Sequence, residues 1–294
     1  MMLPKPSDAY RLIHISDIHF CVFPRNLLLC FNKRLKGLIR QALRGTNFQA
    51  TTISERFPEV VKNLDANSVC ITGDFSLTAM DAEFLLARHF VDRLTKITAV
   101  HVLPGNHDVY TAQAFVDQPF YQYFPNHELQ ENKIFFQKLT PHWWLILLDC
   151  SCRNGWFSAN GKVQLSQITA LETFFLNLMP EENVIIANHY PLLSSSKSQH
   201  NLINHDLLQQ MLQKYPQVQL YLHGHEHRAA VYSCKDNSPA YILNSGSISL
   251  PSNARFHIID LYPDNFRIYT MVLTNLLQQD IPLEIALDLD FKTW

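Results

Sequence analysis

The chain has 294 residues and carries 24 Lys and Arg against 26 Asp and Glu, a formal net charge of −2. That balance offers no basic excess to a nucleic-acid backbone, so nucleic acid is not an expected partner. A content of 47% hydrophobic and 17% charged residues excludes the disordered class, and no apolar run approaches the ~18 residues of a membrane span.

In chain order, residues 10–16 read as a first buried strand. From residue 18 to 54 there is no acidic residue. Within that stretch Arg25, Lys33, Arg34, Lys36, Arg40 and Arg44 interleave with Leu27, Leu28, Phe31, Leu35, Leu38, Ile39 and Leu43, which predicts a basic amphipathic helix or helical pair, an insert at about 20–54. It is either a helix packed on the sheet with a solvated basic face, or a site for an anion, a lipid or a membrane surface. Residues 68–72 and 99–104 read as further strands. Between them Phe84, Ala87, Val91 and Leu94 fall on one helical face, introduced by Thr78 and Asp81 as a capping box.

Residues 144–148, 183–188 and 218–222 continue the strand series. Helical faces separate them, one at Ile168, Leu171, Phe175 and Leu178 and another at Leu208, Met211, Leu212 and Tyr215. Strands alternating with helices mean a layered α/β sheet. Past residue 240 the pattern changes to strands at 241–244, 256–261 and 266–273, the last two joined by the turn Tyr262-Pro263-Asp264-Asn265, so the C-terminal part adds antiparallel strands. No repeat or linker divides the chain, and one domain over 1–294 is expected. The six cysteines form no CxxC pair, which fits reduced thiols and a cytoplasmic protein, peripheral to the membrane if the basic insert binds lipid.

Only 8 glycines are present, where ordinary usage would give about 20, and Gly73, Gly105 and Gly224 each open a short polar motif after an apolar run. Five of the 14 histidines fall in the polar motifs at strand ends. The motifs are Asp17-Ile18-His19, Gly73-Asp74, Gly105-Asn106-His107-Asp108, His189 and Gly224-His225-Glu226-His227. Loops at the carboxyl edge of an α/β sheet converge on one crevice, so these residues are expected to meet. Carboxylate, amide and imidazole donors without thiolates suit Mn, Fe or Zn rather than a structural zinc. Asp17, His19, Asp74, Asn106, His189, His225 and His227 are more ligands than one ion needs. Two ions ~3.5–4 Å apart, bridged by a carboxylate, would occupy them and could hold a phosphoryl group together with a bridging hydroxide. The chemistry implied is phosphate-ester hydrolysis. The remaining histidines read as ordinary core or loop residues, with His223 as a support to the ligands, Glu226 as exposed and Asp149 as a loop brace.

The ordered set DxH, GD, GNHD, His and GHxH resembles the calcineurin-like metallophosphoesterase superfamily, over 17–227. That resemblance implies a four-layer α/β/β/α sandwich with mixed sheets and a dinuclear centre, with Mn2+ the favoured metal. Asp17, His19 and His227 would bind one metal, Asn106, His189 and His225 the second, and Asp74 would bridge. Asn106 and His107 would meet the substrate phosphate, His107 as charge stabiliser or proton donor, with Asp108 orienting it.

Within the superfamily the layout is most similar to bacterial class III cyclic nucleotide phosphodiesterases, through GNHD, Leu147-Leu148-Asp149, Asn188-His189-Tyr190-Pro191, His205 and Tyr215-Pro216. A small phosphodiester is therefore the leading substrate. The basic insert keeps a second similarity in play, to the UDP-2,3-diacylglucosamine pyrophosphohydrolases of lipid A synthesis, with acyl chains on Leu27, Leu28, Phe31 and Leu35. The best-known members of that group carry Arg where this chain has His107. A non-catalytic scaffold is the third reading, and intact ligand motifs argue against it.

Overall fold

The computed structural model describes residues 3–24, 33–44, 48–194, 198–234, 237–278 and 283–288. The first half holds β1 (Tyr10–Ile15), α1 (Lys33–Arg44), α2 (Ala50–Asn63), β2 (Ser68–Ile71), α3 (Asp81–Thr95) and β3 (Ala99–Val102). Three short helices follow, α4 (Ala112–Asp117), α5 (Pro119–Tyr123) and α6 (His127–Asn132), then β4 (Ile134–Thr140), β5 (Trp143–Leu148), β6 (Gly161–Lys162), α7 (Leu165–Leu176) and β7 (Asn183–Asn188). The remainder is β8 (Leu202–Ile203), α8 (His205–Leu212), β9 (Val218–His223), β10 (Ala230–Ser233), β11 (Tyr241–Asn244), β12 (Arg255–Leu261), β13 (Phe266–Thr274) and β14 (Glu284–Leu287).

Two six-stranded mixed sheets form, in the orders β14-β13-β12-β1-β2-β3 and β10-β11-β9-β7-β5-β4. Strand periodicity sets the layers. In the second sheet Leu145, Leu147, Ile185, Ala187 and Leu222 enter the core shared with the first sheet, while the alternate residues Ile146, Leu148, Val184, Ile186 and Tyr221 pack with Leu171, Phe175, Leu208 and Leu212 of α7 and α8. Ile53, Phe57 and Val61 of α2 and Phe84 and Phe90 of α3 complete the first core. The result is the four-layer α/β/β/α sandwich with mixed sheets.

Every strand predicted from the sequence is present, with ends within two residues of expectation. Strand β4 was not foreseen, and it pairs antiparallel with β5 around a turn at residues 141–142. The capping of α3 also differs from expectation. The helix starts at Asp81 after Met80 as N-cap, and the carboxylate that reaches back belongs to Glu83, accepting from the Met80 and Thr78 N–H groups at 3.2 and 2.8 Å. Thr78 lies two residues before the N-cap, and its hydroxyl instead donates to Glu83 at 3.1 Å.

The basic stretch contains α1 and the first residues of α2, which is a core helix. Arg25, Leu27, Leu28 and Phe31 of the expected amphipathic helix lie outside the described residues, as do the side chains of Lys36, Arg40, Leu43 and Arg44. Leu38 is buried, whereas Leu35 and Ile39 are exposed. Among the described residues no helix is long and apolar enough to cross a membrane.

Candidate metal centre

The carboxyl ends of parallel strands β1, β2 and β3 in one sheet and β7 and β9 in the other deliver the motif residues to one place. The loops are stitched across the sheets. The Asp17 N–H donates to the Gly73 carbonyl at 3.1 Å and the His19 N–H to the Asp74 carbonyl at 3.0 Å, while the His225 N–H reaches across to Asp17 Oδ2 at 2.9 Å.

The local backbone is unusual at the donors themselves. Asp17, His19, Asp74, His225 and His227 have φ of 56°, 56°, 57°, 72° and 54°, in the left-handed region that non-glycine residues rarely enter. Each sharp reversal turns a side chain inward that an extended strand would aim elsewhere, and strain of this kind concentrates at functional sites. Close approach explains two glycines. A Cβ on Gly105 would collide with Asp74 Oδ1, and one on Gly224 with Ser16 Oγ and Asp17 Oδ2.

Two groups of donors result. In the first, His227 Nε2 stands 3.0 Å from Asp17 Oδ1 and 2.9 Å from His19 Nε2, which is itself 3.5 Å from Asp17 Oδ1. In the second, Asn106 Oδ1 lies 3.1 Å from His189 Nε2 and 2.8 Å from His225 Nδ1, and the two imidazole nitrogens are 3.2 Å apart. Asp74 Oδ2 stands between the groups, 3.7 Å from His19 Nε2 and 3.4 Å from His189 Nε2. Its other oxygen, Oδ1, accepts the His107 N–H at 2.8 Å, so the free oxygen is held towards both groups.

These separations are those of neighbouring ligands on ions with ~2.0–2.2 Å bonds. Asp17 Oδ1 is buried and lacks a hydrogen-bond donor, which a cation would remedy. The His189 Nδ1–H donates to the Thr72 carbonyl at 2.7 Å, fixing the tautomer with the Nε2 lone pair inward. The residues fit a metal, and Asp17, His19, Asp74 and His227 together form a group able to hold one ion.

Electrostatics support the same reading. Burial pushes the Asp74 carboxyl up, but the nearby His189, His107 and His19 override it and hold it below the usual carboxylate range. Burial would lower His189, yet the Asp74 and Asp17 carboxylates raise it to about 9. Among the described residues Asp17 and Asp74 form ion pairs with histidines alone.

His107 sits beside this centre. Its ring meets His19 edge-on with centroids 4.9 Å apart, stacks on Tyr110 at 4.9 Å, and donates from Nδ1 to the Leu77 carbonyl at 2.6 Å. Asp108 therefore does not orient that imidazole. Its oxygens accept from the N–H groups of Gly105, Phe75 and Ser76 and from the Ser76 hydroxyl at 2.9–3.2 Å, tying together the loops after β2 and β3. Burial and the Asp74 charge push its carboxyl up to about 7.

Asp149 braces its loop as expected, paired with Lys133 at 3.0 Å and accepting from the Tyr121 hydroxyl at 2.7 Å. Glu226 is exposed and accepts from Asn244. Sequence reasoning missed Phe48, whose ring lies 4.5 Å from His19, and His200, whose ring lies 5.3 Å from His225. Neither belongs to a strand-end motif, so no spacing signal marked them.

The family model for calcineurin-like phosphoesterases matches residues 10–229. The chain belongs to this family. It is a metal-dependent phosphoesterase, and members of the family bind two divalent ions. A 3′,5′-cyclic-nucleotide phosphodiesterase of Nostoc sp. is 27% identical over 268 residues, covering 86% of this chain and 88% of that one. A 3′,5′-cyclic adenosine monophosphate phosphodiesterase of Vibrio vulnificus is 28% identical over 75% of this chain and 71% of its own length. In fold, a dimetal phosphatase from Danio rerio superposes with a TM-score of 0.59 at 14% identity, covering 96% of this chain and 99% of that one.

Proposed function

We propose that this phosphoesterase hydrolyses a small phosphodiester, with a 3′,5′-cyclic nucleotide as the leading substrate. The observation that carries the reading is the pair of donor groups joined through Asp74 Oδ2, with the His107 imidazole beside them. In this reading Asp17, His19 and His227 hold one divalent ion, Asn106, His189 and His225 hold the other, and Asp74 belongs to both, with Mn2+ favoured over Fe or Zn. When bound, such a pair supplies Lewis-acid charge and water of lowered pKa.

The chain's own residues do the rest. Asn106 and His107 face the phosphate. The Leu77 carbonyl takes the His107 Nδ1–H, so Nε2 presents a lone pair in the neutral ring and donates to the leaving oxygen only as the imidazolium. Asp108 positions the loops that carry both.

The preference for a diester is electrostatic. A monoester dianion calls for a further cation, and the described cations of α1, Lys33 and Arg34, are bonded to backbone carbonyls. Lys33 donates to the Ser158 carbonyl at 3.2 Å, and Arg34 to the carbonyls of Thr78 and Ala79 at 3.0 and 2.9 Å. The cyclic-nucleotide activity of the Nostoc and Vibrio relatives supports the same substrate. The test is kcat/KM for bis-p-nitrophenyl phosphate, p-nitrophenyl phosphate, cyclic AMP and UDP-diacylglucosamine with Mn2+-reconstituted protein. Preference for the diester and turnover of cyclic AMP are expected. A clear preference for the monoester overturns the diesterase reading, and rapid turnover of the UDP-lipid alone replaces its substrate.

A further inference from the structure

Phe48 precedes α2 where the basic stretch returns to the sheets. Its neighbour fixes it in place, because the Gln49 N–H donates to the Ser249 carbonyl at 2.7 Å and the Ser249 hydroxyl donates to the Ile18 carbonyl at 2.6 Å, between two donor residues of the centre. The Phe48 ring packs against His19 at 4.5 Å with a 39° tilt and meets His227 edge-on at 5.7 Å. It is only half-buried.

The other phenyl-type rings at the centre are already covered. Tyr190 touches His189 and His225 but is fully buried, and Tyr110 is buried between His107 and the Lys33 ammonium 4.8 Å from its centroid. Among the described residues Phe48 is thus the apolar ring that touches donor imidazoles and still keeps exposed surface. A half-exposed phenyl in a wall of carboxylates, amides and imidazoles gains little from water, and its flat face suits another planar ring.

We infer that Phe48 is a substrate-positioning residue whose ring stacks on the base of a nucleotide while the phosphate lies among the metal donors. This rests on the phosphodiesterase reading and deepens it by naming what recognises the nucleoside part. Stacking of a base on an aromatic side chain is tolerant of base identity and strong enough for roughly tenfold to hundredfold tighter binding. The stack therefore selects nucleotides over ring-free phosphates without choosing between adenine and guanine.

The experiment is calorimetric titration of Mn2+-loaded protein with AMP, ribose 5-phosphate and inorganic phosphate, on the wild type and on Phe48→Leu and Phe48→Trp, with metal content measured alongside. AMP should bind the wild type at least about tenfold more tightly than ribose 5-phosphate. Phe48→Leu should collapse that ratio towards one with metal content and phosphate binding unchanged, and Phe48→Trp should keep or widen it. A wild-type ratio near one overturns the inference, as does an unchanged ratio in Phe48→Leu. Loss of metal from Phe48→Leu also overturns it, because the ring would then only prop His19. The readout does not depend on turnover, so a failed diester preference defeats the functional reading alone and a flat AMP ratio defeats the Phe48 inference alone.

Discussion

His19 and His227, 208 residues apart in the chain, aim their Nε2 atoms at each other across 2.9 Å. Two imidazole lone pairs at that distance repel unless a proton or a cation lies between them, and Asp17 Oδ1 adds a third donor 3.0 Å from His227. The second group repeats the arrangement at His189 and His225. A cluster of this kind is stable only when positive charge occupies it, as histidine protons or as metal.

The carboxylate common to both groups is Asp74, so its loss should be felt at both. Asp74→Ala is expected to emerge from gel filtration depleted in both ions by elemental analysis, where a ligand to one ion would empty only one. Retention of a full metal pair would show that Asp74 does not bridge.

His107 contacts the centre through ring edges and its backbone N–H, and its side chain donates away to Leu77. His107→Gln keeps that N–H on Asp74 and should keep the metals while losing roughly 10² or more in kcat, the scale of one proton donor or charge-stabilising group. Loss of metal in proportion to activity would make His107 a ligand.

Glu83 gives a pH dependence remote from the metals. Burial pushes its carboxyl up to about 7, against hydrogen bonds from Thr78, Met80 and Val22. The ordinary value is 4.5, so the folded state binds the proton more tightly than the unfolded state does. The stability this contributes is fully present below about 4.5 and is lost as pH rises towards about 7. Two and a half pKa units correspond to ~3 kcal/mol. Glu83→Gln removes the titration, so in chemical denaturation the stability of the wild type relative to the variant should fall between pH 4.5 and 7 and level off above. A constant difference across that range would show that Glu83 is ionised in the fold throughout.

Most of the fold, and the meeting of the motif residues at the strand ends, were legible in the sequence, for physical reasons. Strands such as 183–188 are buried on both sides and read as short apolar runs, here Val184 to Ala187, and the donors follow strands whose parallel packing must gather their ends. What was not legible came from tertiary contact. Strand β4, Ile134–Thr140, is mixed in pattern because its burial is partial along most of its length. Glu83 belongs to no motif, and only its placement against Thr78 and Met80 makes its carboxylate the one that reaches back. The family resemblance implied that Asp108 orients the His107 ring, yet consecutive side chains diverge and Asp108 turns to the β2 loop instead. Phe48 carries no motif, and its place over His19 depends on the path of the stretch before α2.

That stretch yields the last prediction. Its basic residues left open a solvated face or a site for an anion, a lipid or a membrane surface, and Arg34 is spent within the chain, donating to the Thr78 and Ala79 carbonyls at 3.0 and 2.9 Å. These carbonyls follow Leu77, whose own carbonyl receives His107 Nδ1. Arg34 thereby clamps the loop that sets the His107 ring, and its guanidinium fork serves two acceptors that a single ammonium cannot match. Arg34→Ala should therefore lower kcat with KM and metal content nearly unchanged, and Arg34→Lys should rescue it only in part. Sedimentation with anionic vesicles should be the same for the wild type and Arg34→Ala. If the variant instead keeps full kcat and loses vesicle binding, Arg34 belongs to a membrane-facing surface and the clamp on the His107 loop is wrong.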